Sequence, residues 1–545
     1  MRLVKVQLHR TFILKEHMPP KKNLKPAGRQ VVSGAAPLCF GLFGDIGSHY
    51  FKKTWRRVGK ANVLPRLGRD AYTSLTFVFD NPTIRFSNLN NWQQSTYEEA
   101  HMCGIFGVWN APRAAELVAI GLHNLQHRAT DYAGITSSDG EHLYTKHGVG
   151  IARHVFKQGA TDHLHGRSAI GHIRYPTVSD DKSRVNIQPI VGNYDGNPIA
   201  IAHNGNITNT EELKLMKALS VSKLSTSMDT EYILRILEAK CSGNIIKDLR
   251  ETLSVLKGSF SLLILSPRFL IAVRDKSGNR PLSIGKMDNG AFCVSSETCA
   301  FPNVHATHLC DVDAGTMVII DGDGLRVHSF AKAEEHKCRF EGIYYAHPAS
   351  MMFGENVARF RMKIGRALEE LFPVLDADIV VPVPDSANLI AMGYAESGCS
   401  GTLFPAITRN HYVGRTFIAP TQGERDTKVA QKFTFAEEEI RGKVIVLIDD
   451  SIVRGTTLPR ITEKLRKLGA KEIHVRIGSP PISHPCRYGI NTPTYDELIA
   501  TRMPTNQIRI HCGADSLEFL PLETLMSLSD SPDRYCYACM SGQYW

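Results

Sequence analysis

Cys103, in the run MCGIFG, can supply two of the groups needed to open a side-chain amide. Its thiol can attack, and its own α-amine can accept the thiol's proton, provided no peptide bond blocks that nitrogen. A free α-amine has a pKa of about 7.7 to 8.0, so near neutral pH much of it is base and no histidine is required. Attachment to Met102 would remove that base. A second chemistry lies far along the chain, in VIVLIDDSIVRGTT, Val444 to Thr457. An apolar strand there delivers Asp449 and Asp450 to its carboxyl end, where ligands of open α/β sheets bind. Ser451, Arg454, Gly455, Thr456 and Thr457 follow at a helix start, where amides and hydroxyls can hold phosphate. Carboxylates beside such a loop suit ribose hydroxyls and Mg²⁺, which shares oxygen ligands with phosphates. A lone Asp-Asp pair is most often a solvated turn; the complete order of strand, acids, hydroxyl loop and helix points to a site. Cys536 and Cys539 form a CxxC, a spacing open to redox chemistry, metal binding or coincidence.

These groups require two kinds of framework. From Cys103 to about Glu341, short β-rich runs alternate with turns: CGIFGVW, SAIGHIRY, PIAIAHNG, SFSLLIL, FLIAVRD and GTMVIID. Many short strands with few helical patterns predict stacked antiparallel sheets, an α+β half. Beyond Glu341 a helix is predicted over Asn356 to Phe372, and DIVVPVPDSANLIAMGYAESG reads as strand into helix. The stretch from Lys443 to Ile477 reads as strand, acidic loop, helix and strand, a βαβ unit and hence a parallel sheet, an α/β half. Ser386, ending VPVPDS with Asn388 following, fits a helix N-cap. The expected divisions are 1–102, a basic extension; 103–340; 341–500; and 501–545, a C-terminal segment. Only Ser74 to Phe79 looks like a strand in the extension.

GHIRYPT, AHNGN and SMDTE follow MCGIFG in an order that resembles the class II, N-terminal-nucleophile glutamine amidotransferases. The resemblance implies Cys103 as nucleophile, Arg174 on the glutamine α-carboxylate, Asn204 and Gly205 as oxyanion donors, and Asp229 on the substrate ammonium. DDSIVRGTT is similar to the phosphoribosyl pyrophosphate signature of type I phosphoribosyltransferases. That similarity implies Asp449, Asp450, Ser451, Arg454, Gly455, Thr456 and Thr457 around the substrate, with Ser386, Asp449 and Asp450 near Mg²⁺. Arg409 to Gln422 resembles a loop that closes over substrate. With RDKSGNRPLSIG, VSSETCAF and SPPISHPCRYGINTPTYDELIA, the likeness to the amidophosphoribosyltransferase family covers about residues 103–545. It implies transfer of ammonia from glutamine to C1 of phosphoribosyl pyrophosphate, giving 5-phosphoribosylamine, glutamate and pyrophosphate, the first step of purine synthesis. It also implies a homotetramer inhibited by purine nucleotides, and a structural 4Fe-4S cluster on Cys338, Cys486, Cys536 and Cys539. On sequence alone four cysteines suit Zn²⁺ equally.

The chain departs from the family at Ala129, Thr130 and Asp131, where glycine, glutamine and glutamate are usual, at Pro176, and at His411. Two other classes stay open: a sugar-phosphate aminotransferase, which would need isomerase-like domains, and a regulatory homologue that does not hydrolyse glutamine.

The formal charge of +10 comes from one segment: residues 1–101 hold 16 Lys and Arg against 6 Asp and Glu. A neutral remainder excludes an extended phosphate-binding surface for nucleic acid. The longest apolar stretches, such as Ser261 to Val273, are broken by Pro267 and Arg268, short of the roughly 18 residues a membrane span needs. Twelve cysteines without a recognisable secretory signal point to a reducing, cytoplasmic setting, with organelle targeting by the basic arm left open. Cys241, Cys293 and Cys399 are expected to be buried. The need for a free amine makes residues 1–101 a propeptide, a targeting arm, or sequence upstream of a true start at Met102.

Overall fold

Alternating apolar residues after Cys103 build two antiparallel sheets. Residues 104–174 supply β1 (Gly104–Trp109), β2 (Tyr132–Ser138), β3 (Leu143–Val149) and β4 (Ser168–Arg174). Residues 190–274 supply β5 (Ile190–Tyr194), β6 (Asn197–Ile207), β7 (Gly258–Ser266) and β8 (Phe269–Arg274). Then follow β9 (Ser283–Met287), β10 (Phe292–Ser295), β11 (Ala306–Asp311), β12 (Thr316–Asp321) and β13 (Gly324–Ser329). One sheet runs β11-β9-β10-β1-β4-β2-β3 and the other β13-β12-β8-β7-β6-β5. Ile105, Ile170, Leu263, Leu270 and Ile284 fill the space between them. The outer face of the first sheet is covered by helix Ala114–Asn124, that of the second by Asp229–Lys240 and Ile245–Ser254. Each fully buried Leu or Ile contributes about 1.5–3 kcal/mol relative to exposure.

The computed structural model describes residues 102–174, 186–216, 224–396, 398, 400–410, 432–492 and 494–545, all within a unit running from Ser95 to Trp545. The strand expected at Ser74 to Phe79, Pro176, Cys399, His411 and most of the loop Arg409 to Gln422 lie outside the described residues.

After Glu341 the sheet becomes parallel, as the βαβ pattern predicts. Strand Val444–Asp449 lies between Ile379–Pro382 and Glu472–Ile477, with Thr402–Leu403 and Ser516–Phe519 at the edges. Helices Val357–Leu371 and Asn388–Ala395 cover one face, and Thr457–Lys467 and Thr505–His511 the other. Asn356 caps the first of these, its side chain accepting from the Arg359 N–H. The core on the Val357–Leu371 side also takes in Met102, Cys338, Tyr537 and Met540, so the last segment of the chain packs against both halves.

Candidate active site

The antiparallel register of β1 and β4 pairs Gly104 with Ile173. One step outward, that register sets Cys103 opposite Arg174. Cys103 is half-buried and reduced, and its carbonyl accepts from Arg128 Nε at 2.9 Å. Burial lowers the Arg174 pKa, while the charges of Cys103 and Asp229 work against that shift, so the three groups share one electrostatic pocket. Arg174 also donates to the Asn186 carbonyl.

β6 brings the next two residues. Asn204 is buried, and its Nδ2 has no hydrogen-bond partner among the described residues. An unpaired buried amide costs about 1–3 kcal/mol, so its retention marks a place where an acceptor arrives. Gly205 follows at φ 153°, and a Cβ there would lie 2.1 Å from the Ser259 carbonyl oxygen on β7. Asp229 begins helix Asp229–Lys240 and accepts from the Ile207 N–H at 2.9 Å, with His203 Nδ1 at 3.4 Å. Burial alone would raise its pKa; His203, the Ile207 N–H and Arg174 override this and hold it at about 2. The pocket therefore holds a fixed carboxylate and a guanidinium beside a thiol, matched to the two ends of an amino acid.

Three buried ionic residues that sequence reasoning did not single out support Cys103 from below. Arg128 bridges Glu297 and Glu341, the latter at 3.0 Å, and Glu341 also accepts from Arg280 at 2.8 Å. All three of Arg128, Glu341 and Arg280 are completely buried. Arg128 immediately precedes the departure at Ala129 and Arg280 lies inside RDKSGNRPLSIG, so the signal was present but had no role attached. At the departures from the family, Ala129 is buried with its carbonyl accepting from Gln126, and Thr130 Oγ1 is buried without a partner among the described residues.

At the carboxyl end of Val444–Asp449, Asp449 and Asp450 are both buried. Ser386 and Ser451 each donate a hydroxyl to Asp450, the latter at 2.6 Å, and the Asp450 N–H donates to Asp449 at 3.0 Å. Burial and then the neighbouring carboxylate push the Asp449 pKa well above the usual range; burial also raises that of Asp450. Two buried like charges in contact are the donor set a divalent cation neutralises, and the oxygen ligands fit Mg²⁺. The N-cap of helix Asn388–Ala395 is Ala387, and the Ser386 hydroxyl donates to Asp450. Gly455 has φ 69°, and a Cβ would meet Ile499 Cδ1 at 2.3 Å. Thr456 precedes helix Thr457–Lys467 without a side-chain capping bond. Arg454 is paired with Glu497, its Nε donating at 2.8 Å.

The four cysteines converge. Lys337–Cys338 and Tyr535–Cys536 form a parallel pair with Cys338 opposite Cys536, and the Cys539 carbonyl accepts from Ser483 and His484, leading to Cys486. Burial, offset in part by Arg280, raises the Cys338 thiol to about 12, and burial with the other three sulfurs raises Cys539. Such thiols gain from a cationic centre. Tetrahedral Zn²⁺, with Zn–S bonds of about 2.3 Å, needs sulfurs about 3.8 Å apart. Among the described residues no three of these sulfurs lie within 4.8 Å of one another. The close group that does occur is His127, Glu297 and Cys299, whose carboxylate is already engaged by Arg128, Ser350 and the His347 N–H. Of the cysteines expected to be buried, Cys293 is; Cys241 is exposed, because it ends helix Asp229–Lys240 at the surface.

A glutamine amidotransferase domain model matches residues 172–303. The chloroplastic amidophosphoribosyltransferase of Vigna aconitifolia is 40% identical over 465 residues, 85% of this chain and 94% of the relative. The amidophosphoribosyltransferase of Bacillus subtilis is 40% identical over 450 residues, 81% and 94%. Among solved structures, the B. subtilis glutamine phosphoribosylpyrophosphate amidotransferase complexed with ADP and GMP matches with a TM-score of 0.76 at 40% identity, covering 81% of this chain and 97% of that one.

Proposed function

This chain belongs to the amidophosphoribosyltransferase family, and from that premise we infer how its residues divide the reaction. The enzyme uses glutamine and phosphoribosyl pyrophosphate to make 5-phosphoribosylamine, the first step of purine biosynthesis. Family membership removes the sugar-phosphate aminotransferase alternative.

In the glutaminase half, Arg174 pairs with the glutamine α-carboxylate, a bidentate task suited to guanidinium, and Asp229 with the α-ammonium. The Cys103 α-amine takes the thiol proton and the thiolate attacks the side-chain amide carbon. Asn204 Nδ2 and the Gly205 N–H receive the developing oxyanion, and the proton held by the amine passes to the departing ammonia. Water then releases glutamate by the same route. The single observation that carries this reading is the unpartnered, buried Asn204 amide in a pocket where Cys103, Arg174 and Asp229 feel one another's charge.

In the second half, the 455–457 loop holds phosphate while Asp449 and Asp450 hold ribose hydroxyls and, with Ser386, the environment of Mg²⁺. When bound, Mg²⁺ neutralises the pyrophosphate that departs as ammonia attacks C1. The four cysteines hold a 4Fe-4S cluster that fastens the last segment between the halves. Purine nucleotides inhibit a homotetramer of this chain; the B. subtilis relative was solved with ADP and GMP. No helix among the described residues is long and apolar enough to cross a membrane. The basic residues 1–102 are detached before the enzyme works, as an arm or pro-segment, and relatives from plants are named chloroplastic.

Glutamine hydrolysis measured with and without phosphoribosyl pyrophosphate, on protein whose first residue has been sequenced, tests the assignment. Glutaminase activity is expected in the species beginning at Cys103; a species still joined to Met102 that hydrolyses glutamine at full rate would sink it.

A further inference from the structure

Trp545 is clamped over the cysteine cluster in a way the fold alone does not require. Its ring stacks on that of Tyr488, centroids 3.9 Å apart at 9°, and on that of His336, 5.1 Å at 3°. The Tyr488 hydroxyl donates to the Trp545 carbonyl at 2.9 Å and accepts its N–H at 3.1 Å, so ring and backbone are fixed together. Each stacking partner lies two residues from a cluster cysteine: His336 from Cys338, Tyr488 from Cys486. The Tyr488 N–H donates to Cys486 Sγ at 3.4 Å.

Within this clamp the indole N–H is buried, and among the described residues no acceptor meets it at ordinary hydrogen-bond geometry. Tryptophan N–H groups in such places normally find an acceptor. Sulfur lies close at hand, for the Trp545 side chain approaches that of Cys536.

We propose that Trp545 is the lid of the iron-sulfur site, its stacked ring closing the Cys536 side to solvent and its N–H donating to a cluster sulfur. The inference rests on the cysteines holding a 4Fe-4S cluster, whose potential depends on solvent exposure and on hydrogen bonds to its sulfurs. The ring and the N–H therefore act on different observables. Trp545→Phe keeps a stackable ring and deletes the donor; Trp545→Ala deletes both.

The test uses the full chain, purified without oxygen, and follows iron release to a chelator together with the reduction potential of the cluster. Trp545→Phe should release iron within about twofold of wild type, and its potential should move down, because the more negative reduced state loses a donor. Trp545→Ala should release iron about tenfold faster or more as the site opens to solvent. A His336→Ala variant, which removes one stacking face and leaves Trp545 intact, should fall between them. Wild-type release rates in both Trp545→Ala and His336→Ala, or an unshifted potential in Trp545→Phe, would overturn the lid. Wild-type protein lacking iron would overturn the cluster assignment itself, which separates the two failures.

Discussion

Asn204 is the residue whose removal reads most directly. Its buried amide has no partner among the described residues, so on the proposed mechanism Asn204→Ala removes the donor offered to the reacting oxyanion. Glutamine-dependent synthesis should fall about 10²–10³-fold with ammonia-dependent synthesis nearly unchanged, as measured by parallel assays with each nitrogen source. Asp229 and Asp449 respond to pH with opposite sign. The Asp229 carboxyl is held at about 2, below the ordinary 3.8. It therefore stabilises the fold above 3.8 and loses that contribution as pH falls towards 2. Asp449 is raised instead, by burial and by Asp450. Its ionisation opposes folding once pH rises past 3.8, and the opposition is complete only above its raised folded value. Melting curves across pH, with and without Mg²⁺, should show the cation stabilising the protein at neutral pH and less so in acid. Asp449→Asn should raise the metal-free stability by about 1 kcal/mol while abolishing synthesis.

Among the elements, the proposed phosphate loop leaves little room for change. Gly455 combines a left-handed φ of 69° with an approach that puts any Cβ 2.3 Å from Ile499. Gly455→Ala should lower stability by about 1–3 kcal/mol and, through displacement of the loop, weaken phosphoribosyl pyrophosphate use on the order of 10²-fold. Initial-rate kinetics with ammonia as nitrogen donor isolates that effect. The strands themselves were legible in the sequence because alternation and β-branched runs are local signals, and the acidic loop because strand and helix flank it. The sheet orders were not. β1 lies between β4 and β10, neighbours chosen by side chains far along the chain. The Arg128–Glu341–Arg280 chain of charges escaped for the same reason: each residue alone reads as a surface charge, and only the fold brings them together in the core. Ser386 was legible as a hydroxyl at a strand end, while its choice between cap and carboxylate needed the helix to start one residue later.

For the whole molecule, the two halves meet where the last cysteines meet the first catalytic strands. The Tyr488 carbonyl accepts from Ser259 on β7 and from Arg280, and Gly489 packs against Gly205. A chain uncut before Cys103 should still make phosphoribosylamine from ammonia, yet use glutamine about 10³-fold less well, since it has a thiol without its base. Assays on protein whose intact mass is known check this. The proposed removal of Met102 would have a mechanical side. Its side chain is 2% exposed, and its sulfur rests 3.3 Å from an Arg280 nitrogen. Excising it withdraws a plug and leaves a hollow walled by two guanidinium groups, polar enough to be wet. Emptying a methionine's seat costs about 2–5 kcal/mol where nothing refills it. The working enzyme should thus melt below its own precursor in calorimetry, having given up packing for a reactive nitrogen.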